Sequence, residues 1–110
     1  DLLAANGLHR GGYILPGFDL MLSSLSEDTA SVQVSIHDTP MSLDLGGATS
    51  ECVSHGVLMS IVSLVETVQK MEPAASLMLT GGAGASLCRY LVGAEWAESL
   101  VLDGLVVALP

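Results

Sequence analysis

The fold is decided by residues 76–84, which read SLMLTGGAG. A short apolar run ends here in a glycine-rich turn, and we expect a helix from Ala85 to Leu91. A strand, a tight turn and a helix in this order are typical of α/β proteins. The stretch therefore predicts an α/β domain.

The longest predicted helix lies upstream of this unit. Its apolar residues recur at steps of three and four, the period of one helix face, and they are Val57, Ile61, Leu64, Val68 and Met71. Thr49 is expected to cap the N-terminus with its hydroxyl, and Glu51 in the first turn complements the helix dipole. Glu72-Pro73 ends the helix.

The chain begins with a predicted β-hairpin. Residues 2–5 and 8–14 are apolar-leaning runs separated by Asn6-Gly7, which favours a two-residue type I′ turn. Pro16-Gly17 ends the second strand, and a short helix is expected from Phe18 to Leu25.

The remaining segments show weaker patterns of apolar and polar residues. Val32, Val34 and Ile36 alternate with polar residues, which predicts a strand, and a loop is expected over residues 38–47. Residues 99–102 are predicted to be extended, and an apolar element closes the chain after Asp103-Gly104. The predicted order is two strands, helix, strand, helix, strand, helix, and a terminal strand or helix.

The charge balance excludes several kinds of partner. The chain has 110 residues, with three Lys and Arg against 12 Asp and Glu, and a net charge of −9. Nucleic-acid binding depends on neutralising phosphates with basic side chains, so we expect no nucleic-acid partner. The most apolar window, residues 56–65, is shorter than the roughly 20 residues that span a bilayer, so we expect a buried helix and no membrane.

The sequence predicts no metal or nucleophilic site. His9, His37 and His55 lie in a strand, a loop and a helix, with no carboxylate spaced to form a ligand pair. Cys52 and Cys88 lack metal-type spacing and are expected to be reduced, buried thiols, which makes the cytoplasm the default compartment. The turn at 80–84 matches neither a Walker A motif nor a dinucleotide fingerprint, so a tight loop and a nucleotide contact both remain open for it.

Four landmarks occur in a fixed order along the chain. They are the segment GGYILPG at 11–17, the run Gly46–Thr49 followed by Glu51 and Gly56, the turn Thr80-Gly81-Gly82, and the closing Asp103-Gly104-Leu105. In this order the chain resembles the type III pantothenate kinases, also described as the Bvg accessory factor family. Ala48 stands where that family usually has Asn, and Gly47 where it often has Arg or Lys.

The resemblance implies a ribonuclease-H-like domain of the acetate and sugar kinase, Hsp70 and actin superfamily, the actin-like ATPase fold. Residues 1–110 are similar to the C-terminal domain of a two-domain kinase, without its first strand and without the N-terminal domain. Asp1-Leu2-Leu3 is neither an initiator Met nor a signal peptide, and we expect it to be the tail of that strand.

The resemblance also implies an activity. Type III pantothenate kinases transfer the γ-phosphate of ATP to pantothenate, the first step of coenzyme A biosynthesis, with Mg²⁺ and a monovalent cation, K⁺ or NH₄⁺. Thr49 matches a pantothenate contact at a homodimer interface, and Thr80, Gly81 and Gly82 match the adenosine-side turn. No catalytic or metal-binding residue is assigned, because the family's catalytic aspartate and cation motif would precede Asp1. The fragment alone is therefore expected to be inactive.

Two alternatives remain at this point. The first is a non-catalytic regulatory or interaction protein that keeps the same fold for dimerisation, and intact upstream motifs would favour the kinase over it. The second is another kinase of the same superfamily, which the segment at 11–17 makes less favoured.

Overall fold

The computed structural model describes residues 1–26 and 41–110. The elements in chain order are β1 (Leu2–Leu3), β2 (His9–Gly11), α1 (Phe18–Ser26), α2 (Thr49–Met71), β3 (Met78–Leu79), α3 (Gly84–Leu87), a 3₁₀ helix (Cys88–Tyr90), β4 (Glu95–Trp96) and α4 (Leu100–Ala108). The predicted α/β class is confirmed. The predicted strand at 32–36, His37 and the first part of the predicted loop lie outside the described residues.

The N-terminal hairpin is present, but its turn differs from the prediction. The Gly7 N–H donates to the Ala4 carbonyl at 2.9 Å, and the Ala4 N–H donates to the Leu8 carbonyl at 2.9 Å. Ala5 and Asn6 therefore lie at the centre of the turn, and Gly7 follows with φ +85°. This is the three-residue loop in which glycine occupies the left-handed position. The predicted two-residue turn at Asn6-Gly7 is wrong.

The second strand of the hairpin is shorter than predicted. β1 and β2 pair antiparallel, with Leu2 opposite Gly11 and Leu3 opposite His9, so the register shifts by one residue. The ladder ends at Gly11, whose φ of +118° is incompatible with a regular strand, and Ile14 is fully exposed. A Cβ on Gly12 would lie 3.0 Å from the Asp1 Cα, so the glycine allows a close backbone approach.

The core forms where α1 packs against α2. Its buried apolar side chains are Phe18, Leu22, Met41, Val57, Leu58, Val62 and Leu91. The buried face of α2 is rotated from the predicted stripe, because Leu58 and Val62 are almost fully enclosed while Met71 is 63% exposed. The bounds of α2 match the prediction, and the buried set matches it in part: the predicted Val57 is buried and Ile61 packs against the core, whereas Met71 does not.

By length and composition, α2 is long and apolar enough to cross a membrane. Core helices of soluble proteins pass the same test. In this chain the enclosed face of α2 packs against α1, and Glu66 and Lys70 lie on its C-terminal half. One face of α2 is therefore packed, and 22% of its most apolar window is buried.

β3 and β4 pair in parallel through a helical connection. The Glu95 N–H donates to the Leu77 carbonyl at 2.9 Å, and the Ala97 N–H donates to the Leu79 carbonyl at 2.8 Å. The predicted strand, turn and helix are therefore confirmed, although the helix consists of the short α3 and the 3₁₀ helix. β4 was not predicted, since two residues show no alternation to detect.

The C-terminal segment is helical. Backbone bonds from the Asp103 N–H to the Ser99 carbonyl, 2.8 Å, and from the Leu109 N–H to the Leu105 carbonyl, 2.9 Å, mark its two ends. The predicted extended segment at 99–102 is wrong, because Asp103-Gly104 lies inside a helix instead of in a turn. Every residue of α4 is exposed.

Candidate functional site

Thr49, the predicted substrate contact, is the first residue of α2 and is exposed. The N-cap is Ala48, with φ −131° and ψ 161°, and it provides no side-chain cap. The prediction that Thr49 caps the helix is wrong, because its hydroxyl lies one position past the cap. Among the described residues it has no hydrogen-bond partner, so its oxygen is available to a ligand.

Glu51, in the first turn of α2, binds the loop that precedes the helix. Its Oε2 accepts a hydrogen bond from the Gly47 N–H at 2.8 Å, which ties the incoming chain to the first turn of α2. A glutamate three residues after the N-cap is placed to reach back to the N-cap amide, as in a capping box. Glu51 has this spacing from Ala48, but it binds the amide one residue earlier, that of Gly47.

Two further side chains of α2 hold the same segment. The Nδ1 of His55 lies 3.0 Å from the Asp44 carbonyl, and the Sγ of Cys52 donates to the Gly46 carbonyl at 3.3 Å. Gly46 has no room for a Cβ, which would collide with the backbone nitrogen of Cys52. No local sequence pattern points to these contacts, because they depend on the path of the loop.

The two cysteines are free, and they differ in exposure. Cys88 is half-buried at the start of the 3₁₀ helix, whereas Cys52 is exposed. The prediction that Cys52 is buried is wrong, because it lies in the first turn of α2, ahead of the enclosed residues Val57 and Leu58.

The predicted nucleotide turn, Thr80-Gly81-Gly82, follows β3 directly, and all three residues are exposed. Gly81 has φ +91°, and the turn is closed by the Gly84 N–H donating to the Gly81 carbonyl at 3.2 Å. A Cβ on Gly81 or Gly82 would meet no atom within 4 Å. The backbone of the turn is thus open to an approaching ligand, and the tight turn itself is confirmed.

A cavity of about 240 Å³ lies at the other end of α2 from Thr49. The N-terminal segment and the end of α2 line it together with the residues that follow the helix. The lining residues are Asp1, Leu2, Tyr13, Leu64, Val65, Val68, Gln69, Glu72, Ala75, Ser76 and Leu77. Neither Thr49 nor the turn at 80–82 lines this cavity. This cavity is therefore separate from both predicted contacts.

The charged groups near the hairpin form surface pairs. His9 Nε2 lies 2.9 Å from Asp1 Oδ1, and Arg10 Nη1 lies 2.9 Å from Glu72 Oε1. The second pair joins the hairpin to the end of α2.

Across residues 1–26 and 41–110, no group of three or more His, Cys, Asp and Glu side chains could hold a metal ion. The described residues therefore supply no cluster of side chains that could hold Mg²⁺ without further ligands.

Comparison with known proteins gives a consistent result. The family model described as type III pantothenate kinase matches residues 1–71. A type III pantothenate kinase of Marinobacter nauticus is 35% identical over 108 residues, which cover 96% of this chain and 44% of the relative. One of Pseudomonas aeruginosa is 36% identical over 118 aligned residues, covering 100% of this chain and 48% of the relative.

A solved structure is also similar. It belongs to a Campylobacter jejuni protein described as a Baf family transcriptional activator, with a TM-score of 0.68 and 28% sequence identity. The match covers 93% of this chain and 47% of that protein. The chain thus spans about half the length of the relatives it matches.

Proposed function

The chain belongs to the type III pantothenate kinase family, and we propose from this that it is the C-terminal part of an enzyme that phosphorylates pantothenate with ATP. The observation that carries the proposal is the combined match of the family model over residues 1–71 and of relatives over nearly the whole chain. The reaction would be the first step of coenzyme A biosynthesis, in the cytoplasm.

The proposed domain is ribonuclease-H-like, the C-terminal half of a two-domain kinase without its first strand. An antiparallel hairpin followed by a parallel strand pair with a helical connection supports this assignment. The similarity to a solved structure also supports it, since the match covers 47% of that protein's chain. The N-terminal domain would lie in the part of the relatives that this chain does not span.

Thr49 is the proposed pantothenate contact, in a pocket completed by a second copy of the protein. Its exposure and its hydroxyl without a partner among the described residues support this role. The loop that precedes it is tied to α2, so the hydroxyl has a defined location before any substrate arrives.

Thr80, Gly81 and Gly82 are the proposed nucleotide contacts. Support comes from the open space above Gly81 and Gly82, which lets a ligand come close to the backbone. Among the described residues, no group of three or more His, Cys, Asp and Glu side chains could hold a metal ion. Mg²⁺, when bound, would neutralise the charge on the phosphates, and we assign its ligands, the monovalent cation and the catalytic base to the missing half.

A second function has one observation in its favour. The similar Campylobacter jejuni structure is described as a transcriptional activator, which fits a non-catalytic regulatory protein of the same fold. The net charge of −9 opposes direct contact with DNA phosphates. A regulator of this kind would therefore act through protein contacts.

The decisive experiment uses the full-length protein with ATP, Mg²⁺ and K⁺. We expect ATP-dependent pantothenate phosphorylation, and we expect Thr49→Ala to raise the KM for pantothenate about tenfold, the effect of one good hydrogen bond. Ser50→Ala is the matched control, since Ser50 is the neighbouring exposed hydroxyl of α2. A wild-type protein without turnover while both cations are present contradicts the kinase proposal and favours the regulator.

A further inference from the structure

Three side chains on the first two turns of α2 hold the segment that leads into Thr49. We call them the clamp: Glu51, Cys52 and His55. They bind three backbone groups, namely the Gly47 N–H at 2.8 Å, the Gly46 carbonyl at 3.3 Å and the Asp44 carbonyl at 3.0 Å. Residues four apart lie on one helix face, so Glu51 and His55 reach the loop from the same side.

The donor and the acceptor in each contact of the clamp can be assigned from the atoms involved. A carbonyl can only accept, so the Nδ1 of His55 carries the proton that it donates to Asp44. The Glu51 carboxylate accepts from a backbone amide, which makes this the charge-assisted bond of the set. Cys52 adds a weak thiol donor.

The far end of the loop is anchored as well. The Met41 N–H donates to the Tyr90 hydroxyl at 2.8 Å, and the Met41 side chain is buried in the core. Next along the chain, the Ser42 hydroxyl donates to the Asp44 carboxylate at 2.7 Å and accepts from the Asp44 N–H at 2.9 Å. Residues 41–48 are thus attached to the 3₁₀ helix at one end and to α2 at the other.

The clamp holds the start of α2 at a position where the N-cap residue, Ala48, has no side chain that could do so. As the N-cap residue, Ala48 offers no side-chain acceptor to the exposed amides of the first turn. The direction in which the chain enters α2, and with it the location of Thr49, therefore depends on Glu51 and His55. We propose that Glu51 and His55 are positioning residues that hold Thr49 for substrate binding, an inference that rests on the proposed function.

The test is made in the full-length protein and compares variants that remove the Glu51 or His55 side chain with variants that replace it conservatively. Glu51→Ala and His55→Ala should each raise the KM for pantothenate, by about tenfold for Glu51, and leave the kcat and the KM for ATP within about twofold. Glu51→Gln keeps an acceptor and His55→Asn keeps a donor at the same position, so both should restore most of the affinity. Glu66→Ala is the matched control, an exposed glutamate of the same helix.

A second measurement separates this proposal from the proposed function. Amide hydrogen exchange of residues 44–52 in the full-length protein should be faster in Glu51→Ala than in the wild type or Glu66→Ala, whatever the enzyme's substrate. A wild-type protein that does not turn over pantothenate contradicts the function, and faster exchange would still support the clamp. Unchanged exchange overturns it, as does a Glu51→Ala variant that loses kcat and both affinities together.

Discussion

Gly82 and Gly84 lie two positions apart after β3, and different physical constraints apply to them. A Cβ on Gly82 would meet nothing within 4 Å, whereas a Cβ on Gly84 would collide with the indole ring of Trp96. Gly84 is glycine because the parallel strand pair brings Trp96 against it. Gly82 has no such internal reason, which is why it remains a candidate for ligand contact.

The two glycines therefore predict opposite effects on stability. Gly84→Ala should lower the free energy of unfolding by about 1–3 kcal/mol, because the added methyl overpacks the contact with Trp96. Gly82→Ala should change it by less than about 0.5 kcal/mol. Urea unfolding of the two variants checks the pair, and equal effects would show that the contact with Trp96 does not constrain Gly84.

At the scale of elements, α2 organises the described structure. One of its faces packs on α1 through Leu58 and Val62, its N-terminus carries the clamp and Thr49, and its C-terminal end is joined to the hairpin by Arg10 and Glu72. The amphipathic period identified the helix correctly. It identified Val57 and Ile61 correctly, but it missed Leu58 and Val62 and wrongly included Met71. The reason is that α2 is apolar on more than one side, and the packing of α1 selects the side that is buried.

Which face of α2 is the core can be tested with two alanine substitutions. Leu58 is 0% exposed, and Leu58→Ala should cost about 2–5 kcal/mol of stability through lost burial and the cavity that it leaves. Met71 is 63% exposed, and Met71→Ala should cost less than about 0.5 kcal/mol. Denaturant unfolding with both variants is the measurement, and a larger loss for Met71→Ala would contradict the assigned core face.

The whole molecule has more surface than a compact domain of its size. Its accessible area is 7708 Å², against about 5700 Å² for a compact monomer of this mass. The radius of gyration is 15.9 Å, against about 13 Å for a compact domain of this length. Large apolar side chains are exposed along α4, where Val106 is 80% and Val107 is 87% exposed. Apart from Asp103 and Gly104, every residue of α4 is apolar, and a helix that is apolar on most of its surface is normally covered.

We therefore expect the isolated 110-residue chain to self-associate, because exposed apolar patches of this kind promote contact between copies. Val106→Glu should reduce the associated fraction at micromolar concentration in sedimentation velocity, with no loss of helical circular dichroism. Thr67→Glu adds the same charge on an exposed position of α2 and should have little effect. A wild-type chain that sediments as a monomer would contradict this expectation.

Features that depend on neighbours along the chain could be predicted from the sequence. The period of α2, its end before Pro73, the hairpin around Asn6-Gly7 and the strand, turn and helix at 76–87 all appear where the residues indicate. The ordered landmarks also identified the family correctly. These features follow from backbone preferences and local hydrogen bonds. Both act between residues that are close in the sequence, so the order of the residues is enough to predict them.

Tertiary structure alone decided the rest. The pairing of β4 with β3, the choice of buried residues on α2 and the contacts of Cys52 and His55 with the preceding loop were not predictable from local patterns. His55 meets Asp44 across 11 residues of chain, and Trp96 meets Gly84 through a parallel strand pair. Contacts of this kind depend on where the backbone runs in space, because side chains respond to whichever atoms the fold brings within reach.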